Sequence, residues 1–164
     1  MNKNIFNVNS NIYLDYGYLM FPLNLNIILK IKIGTKIFYS KNGYHVSLIR
    51  LKDFSDFDQK KVLSFAQKYP VKFKKITKIY RRVTEGNKQS IIVRVYLQGL
   101  KKLISAVNHH FGYSFIYPPT HITLFTLKDM EGGIGVNSSR EYKHLTHQIS
   151  QKDSQRLAKS FKII

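Results

Sequence analysis

The chain has 164 residues, 43% of them apolar, with 11 Phe and 11 Tyr; this is the composition of one globular domain and not of a disordered segment. The absence of cysteine excludes disulfides, thiolate metal sites and cysteine nucleophiles together, and suits a reducing interior. Lys and Arg number 27 against 9 Asp and Glu, a net charge of +18, so the partners this surface attracts are polyanions, with nucleic acid the leading candidate.

In chain order, Met1 to Asn11 is Asn-rich and reads as a frayed end. The longest uncharged stretch, Tyr16 to Leu29 (YGYLMFPLNLNIIL), is too short and too polar to span a bilayer. The first residues lack a signal peptide's layout, so the expectation is a soluble cytoplasmic protein with no membrane partner. Asn26 to Tyr39 alternates loosely around Gly34 and predicts two short strands or a hairpin; Tyr44 to Leu51 predicts a strand. Ser55 to Tyr69 predicts a helix capped by Ser55, with Asp56 and Asp58 at its positive end and Pro70 as its stop. Val71 to Val83 reads as a basic strand that turns at Gly86-Asn87 into a second strand, Ser90 to Leu97. Leu100 to Phe111 predicts a helix closed by Gly112, and His121 to Leu127 another strand. After a Gly-rich loop (Glu131 to Val136), Ser138 or Ser139 would cap a helix over Arg140 to Ile149. A basic tail over 150–164 follows, with Leu157, Phe161 and Ile164 at helical spacing. Strands, a few helices and short loops predict one α+β domain with mostly antiparallel pairing.

Two of these strands repeat a pattern. Tyr44 to Leu51 contains His45-Val46-Ser47-Leu48, and 76 residues further on Thr120 to Leu127 contains His121-Ile122-Thr123-Leu124. Side chains of a strand alternate between faces, so each strand offers one imidazole and one hydroxyl, about 7 Å apart, to a common surface while its other face stays apolar. Facing each other across a groove, two such pairs suit in-line attack at phosphorus. One imidazole takes the proton of the attacking oxygen and the other protonates the departing one. The hydroxyls of Ser47 and Thr123 donate to the non-bridging oxygens, where charge concentrates. A looser match, His144-Leu145-Thr146, falls in the predicted helix, where residues two apart do not face together.

The segments HVSL and HITL resemble the paired H-x-S/T-x motifs of the two-histidine (2H) phosphoesterase superfamily, over roughly Ile27 to Val136. The resemblance implies two pseudo-symmetric lobes around a central groove. It also implies a hydrolase that needs neither metal nor cofactor, with His45 and His121 as the acid–base pair and Ser47 and Thr123 binding the substrate phosphate. Members of that superfamily act on 2′,3′-cyclic phosphates of RNA ends, on RNA 3′ ends, on ADP-ribose cyclic phosphate or, in phage anti-CBASS enzymes, on cyclic oligonucleotide signals. The expected function is a phosphodiesterase acting on RNA or a cyclic nucleotide. Cleavage of a cyclic oligonucleotide signal is the alternative enzyme, and a non-catalytic basic nucleic-acid-binding module is the alternative of another class. Before the first motif no helix is visible, and Ser47 stands where Thr is frequent in the superfamily; both leave the substrate open.

Further candidates surround the motifs. Tyr44, Phe115 and Tyr117 flank them and would stack on a base, or else pack in the core. The run Lys60 to Arg82 carries nine basic residues and no acidic one, with Arg81 and Arg82 suited to phosphate. His109-His110 sits where a helix end favours positive charge. Glu141, His144 and His147 would share a helical face but offer only three donors for a metal. Gly132-Gly133-Ile134-Gly135 lacks the Lys-Ser/Thr pair of a phosphate loop and reads as a substrate-side loop.

Overall fold

The computed structural model describes residues 12–128 and 134–164. The frayed end expected at Met1 to Asn11, and Glu131 to Gly133 of the Gly-rich loop, lie outside the described residues. The first half of the chain supplies β1 (Tyr13–Asp15), β2 (Tyr18–Leu23), β3 (Leu25–Ile27), β4 (Lys30–Ile33), β5 (Lys36–Ser40) and β6 (Tyr44–Arg50). Then come α1 (Asp56–Ala66), β7 (Lys72–Glu85), β8 (Lys88–Gln98), α2 (Leu100–Phe111) and β9 (His121–Leu127). The chain closes with α3 (Ser139–Leu145), β10 (Thr146–Gln148), α4 (Gln151–Ala158) and β11 (Phe161–Ile163). Among the described residues every strand pairing is antiparallel, and with four helices the architecture is α+β, as the sequence predicts.

The strands form three sheets, β1-β2-β6, β10-β7-β8-β9-β5-β4 and β11-β3. The two motif strands thus belong to different sheets, β6 at the edge of the first and β9 inside the second. The β4–β5 hairpin precedes β6 in sequence yet covers the edge of β9, with Phe38 opposite Leu127 and Ser40 opposite Phe125. This crossing of early residues into the later sheet ties the two halves together.

Local chemistry explains the best-predicted elements. The Ser55 hydroxyl accepts the Asp58 N–H (3.1 Å), which satisfies one of the free donors at the start of α1. Gly112 takes φ 71° and returns its N–H to the Asn108 carbonyl, which ends α2. Val62 and Ala66 of α1 and Leu103 and Val107 of α2 are fully buried against Ile91, Val93 and Val95 of β8. Each large apolar side chain so buried stabilises the fold by about 1.5–3 kcal/mol.

The C-terminal quarter departs from expectation. The helix foreseen to Ile149 stops at Leu145, because Thr146 turns into β10 opposite Val83 of β7. Arg81 fixes that turn by donating to both the hydroxyl and the carbonyl of Thr146. The stretch 150–164 is not a trailing tail. Ser150 caps α4 through the Asp153 N–H, Leu157 is fully buried, and Phe161–Ile163 forms a strand against Leu25–Ile27. Helical spacing of Leu157, Phe161 and Ile164 breaks at Ser160, whose carbonyl accepts the Ile28 N–H.

Candidate functional site

The pleat of β6 and β9 does what the two motifs require. Val46 and Leu48, like Ile122 and Leu124, are buried in the core, whereas His45, Ser47, His121 and Thr123 are each half-buried on the opposite face. Register places Pro22 of β2 opposite His45 and Met20 opposite Ser47, while Arg94 of β8 lies opposite His121 and Ile92 opposite Thr123. Pro22 is tolerated because β1 pairs only as far as Met20, leaving that side of β2 without a ladder to break.

Ser47 of the first motif and His121 of the second line one cleft of about 780 Å³. Its walls include Tyr18, Phe115, Pro119 and the segment Gly135 to Ser138. A Cβ at Gly135 would lie 3.7 Å from the Tyr18 hydroxyl, so this segment reaches from the second sheet across to the first. His45 and Thr123 are not among the cleft-lining residues; they sit next to them on the same strand faces.

The two rings are electrostatically linked. His121 is pulled below the ordinary imidazole value of 6.5 by burial, and further by Arg94 and Lys41, while a hydrogen bond to the Pro119 carbonyl works the other way. His45 is also lowered, first by burial, then by Lys41, with Asp15 opposing and the charge of His121 adding to the fall. Lys41 therefore acts on both rings, and its own ammonium is held below its ordinary value by burial. His121 Nδ1 lies 2.8 Å from the Pro119 carbonyl, an acceptor only, so Nδ1 carries the proton and Nε2 is left to exchange protons with a ligand.

Arg94 adds a second fixed cation. Its guanidinium lies 5.0 Å from the Tyr142 ring, and its buried Nε has no hydrogen-bond partner among the described residues. Lys41 thus disfavours the charged form of both rings, and Arg94 that of His121. A bound phosphate would return each imidazole toward its charged form.

The flanking candidates divide. Phe115 lines the cleft, and its backbone is clamped to α2 by two 2.8 Å bonds with the Asn108 side chain. Tyr44 faces the core and its hydroxyl accepts the Lys41 N–H, so its ring is not a stacking surface. Tyr117 is 43% exposed but borders a different groove. Arg81 is engaged with Thr146 and lies over Tyr142, and Arg82 lies over Phe38 with its Nε buried; both serve packing. Glu141 accepts the Asn137 N–H, and no group of three metal-binding side chains occurs among the described residues. Sequence reasoning missed Lys41, Arg94, Asp15 and Tyr18, single residues with no motif around them.

No family model matches this chain, and neither a curated protein nor a solved structure is similar to it. Among the described residues no helix is long and apolar enough to cross a membrane.

Proposed function

We propose that the protein is a phosphodiesterase of the two-histidine type, acting on a cyclic phosphate or internucleotide bond of RNA or a nucleotide, with β6 and β9 as the two motif strands of a pared-down 2H-like groove. The observation that carries this reading is the pairing of the two motifs. The two motif strands belong to separate sheets, yet β6 and β9 lie in contact and bring Ser47 and His121 to one cleft.

His121, faced by Arg94 and Lys41, is the better base, since both cations disfavour its protonated form. His45 is lowered too, by burial and Lys41 first, but Asp15 opposes the fall, which suits His45 to the acid role. In hydrolysis of a 2′,3′-cyclic phosphate, Nε2 of His121 takes a proton from water as the water oxygen bonds to phosphorus. The bond from phosphorus to the 2′ or 3′ oxygen breaks, and His45 delivers its proton to that oxygen. One water is added, and the rings re-equilibrate through solvent. Ser47 and Thr123 donate to the non-bridging oxygens, and Lys41 and Arg94 offset their charge.

Turnover of a 2′,3′-cyclic mononucleotide in excess EDTA tests the reading. Activity confined to cyclic dinucleotides or trinucleotides moves the assignment to signal cleavage. Salt-sensitive nucleic-acid binding with no turnover of either leaves a basic binding module.

The pH profile carries a signed expectation. With both rings below 6.5, the free protein near pH 7 holds both neutral and lacks the acid. The rate constant kcat/KM therefore rises as pH falls toward 6.5, peaks on the acid side of it, and drops once the base is also protonated. The profile of kcat sits at higher pH than that of kcat/KM, because bound phosphate raises both rings. A kcat/KM optimum above pH 7 contradicts the assignment.

A further inference from the structure

The segment from Tyr113 to Thr120 separates two clefts. Ser114, Phe115, Ile116, Pro118 and Pro119 line the histidine cleft, and Tyr117 lines a second groove of about 890 Å³ on the other side. The Asn108 clamp on Phe115 holds this ridge against α2.

The second groove differs from the first in charge. Both signs border the histidine cleft, Arg50 and Lys52 beside Asp53, Glu85 and Glu141, whereas Lys101, Lys102, His109 and His110 border the second groove, and no acidic residue does. Lys101, Ser105 and His109 recur at i, i+4 and i+8 along the exposed stripe of α2, so the helix lays its polar face along the groove. Phe65 and Tyr69 of the α1 region form the opposite wall, and Phe65 stacks on His110 with ring centroids 4.4 Å apart. A cationic trough with an exposed ring at its edge, Tyr117, is what a single nucleic-acid strand requires, because phosphates need charge and unpaired bases need flat faces.

We infer that this groove carries the body of a single-stranded RNA whose end enters the histidine cleft across the Tyr117 ridge. Tyr117, 43% exposed, offers its ring to a base at the crossing, and Lys101 and Lys102 hold phosphates beyond it. Tyr117 lies four positions before His121, at most about 13 Å away, so a strand with its terminal phosphate at His121 meets Tyr117 within its first few nucleotides. The placement of the strand's end rests on the phosphodiesterase reading; the groove's affinity for the strand does not. The substrate class selected is an RNA end in preference to a free cyclic mononucleotide.

Fluorescence anisotropy of a labelled single-stranded RNA of about 12 nucleotides, bound to the full chain across a salt series, tests this. The double substitution Lys101→Glu, Lys102→Glu weakens binding by about 10-fold or more and makes the log–log salt slope shallower by about 1.4, the value for two lost phosphate contacts. Tyr117→Ala weakens it by about 5-fold or more. The charge-matched control Lys30→Glu, Lys32→Glu, on the exposed side of β4 at the far edge of the six-stranded sheet, has the smaller effect. Equal weakening by the two pairs, or none by the groove pair, overturns the inference. Turnover of a cyclic mononucleotide reports separately: RNA binding that depends on the groove, with no turnover of any phosphodiester, keeps the groove and sinks the enzyme.

Discussion

His45→Ala and His121→Ala each lower kcat/KM by about 10²- to 10⁴-fold, while the double variant is little worse than the poorer single one. The magnitude follows from the work assigned to each ring: without a positioned base or acid, a proton must move to or from solvent as phosphorus becomes five-coordinate. Non-additivity follows because each proton transfer is useful only when the other occurs. Both side chains are half-buried on the cleft face, with Val46 and Ile122 beside them filling the core, so the fold survives truncation and circular dichroism matches the parent. Added imidazole restores part of the rate, since the cleft is open to solvent, and a structural defect would not respond to it. The assignment of roles is tested in the same experiment. Loss of the acid, His45, removes the limb of the pH profile that falls as pH rises, and loss of His121 removes the limb that falls as pH drops. Ser47→Ala and Thr123→Ala cost less, about 10²-fold at most, because Lys41 and Arg94 still face the phosphate. Full turnover in either histidine variant ends the two-histidine account.

What could be read before folding was local. Ser55 three residues before Asp58, Gly112 after a periodic apolar face, and the alternation over Tyr44 to Leu48 of β6 and His121 to Leu124 of β9 are each decided within a few residues, and each appears where expected. What could not be read depended on distant partners. Phe161 to Ile163 is a strand only because Leu25 to Ile27 lies beside it, and β10 exists because Arg81 grips Thr146. The strand β2 carries the continuous apolar run Leu19–Phe21 and a proline, so it showed no alternation to announce it; both of its sides are covered. The site follows the same division. Two histidines and two hydroxyls announce themselves by spacing, whereas Lys41 acts on both rings from the loop before β6 and Arg94 acts on His121 from β8, the next strand of its sheet. Arg81 and Arg82 show the converse, since a basic pair that looked free to bind phosphate is absorbed in packing against Tyr142 and Phe38.

Gly99→Ala destabilises the protein by about 3–5 kcal/mol and lowers the unfolding midpoint by roughly 10 °C. Gly99 joins β8 to α2 with φ 87°, a conformation that L side chains rarely adopt. Strain alone accounts for part of the loss, but a methyl there would also lie 2.2 Å from the Pro70 carbonyl oxygen. That oxygen is backbone, held between the end of the α1 region and the start of β7, so it cannot swing aside as a flexible side chain would. Relief therefore requires α2 to move, and α2 carries Leu100, Leu103 and Val107 into the core. Gly112→Ala separates the two contributions. Its φ of 71° is similarly left-handed, yet nothing lies within 4 Å of the added methyl, so it bears the strain without the collision and costs about 1 kcal/mol. Thermal unfolding of the two variants side by side checks the argument, and equal midpoints would refute it. Because Gly99 also borders the basic groove, displacement of α2 shifts Lys101 and Lys102 with it; Gly99→Ala weakens RNA binding even at temperatures where the chain remains folded, whereas Gly112→Ala leaves that binding intact.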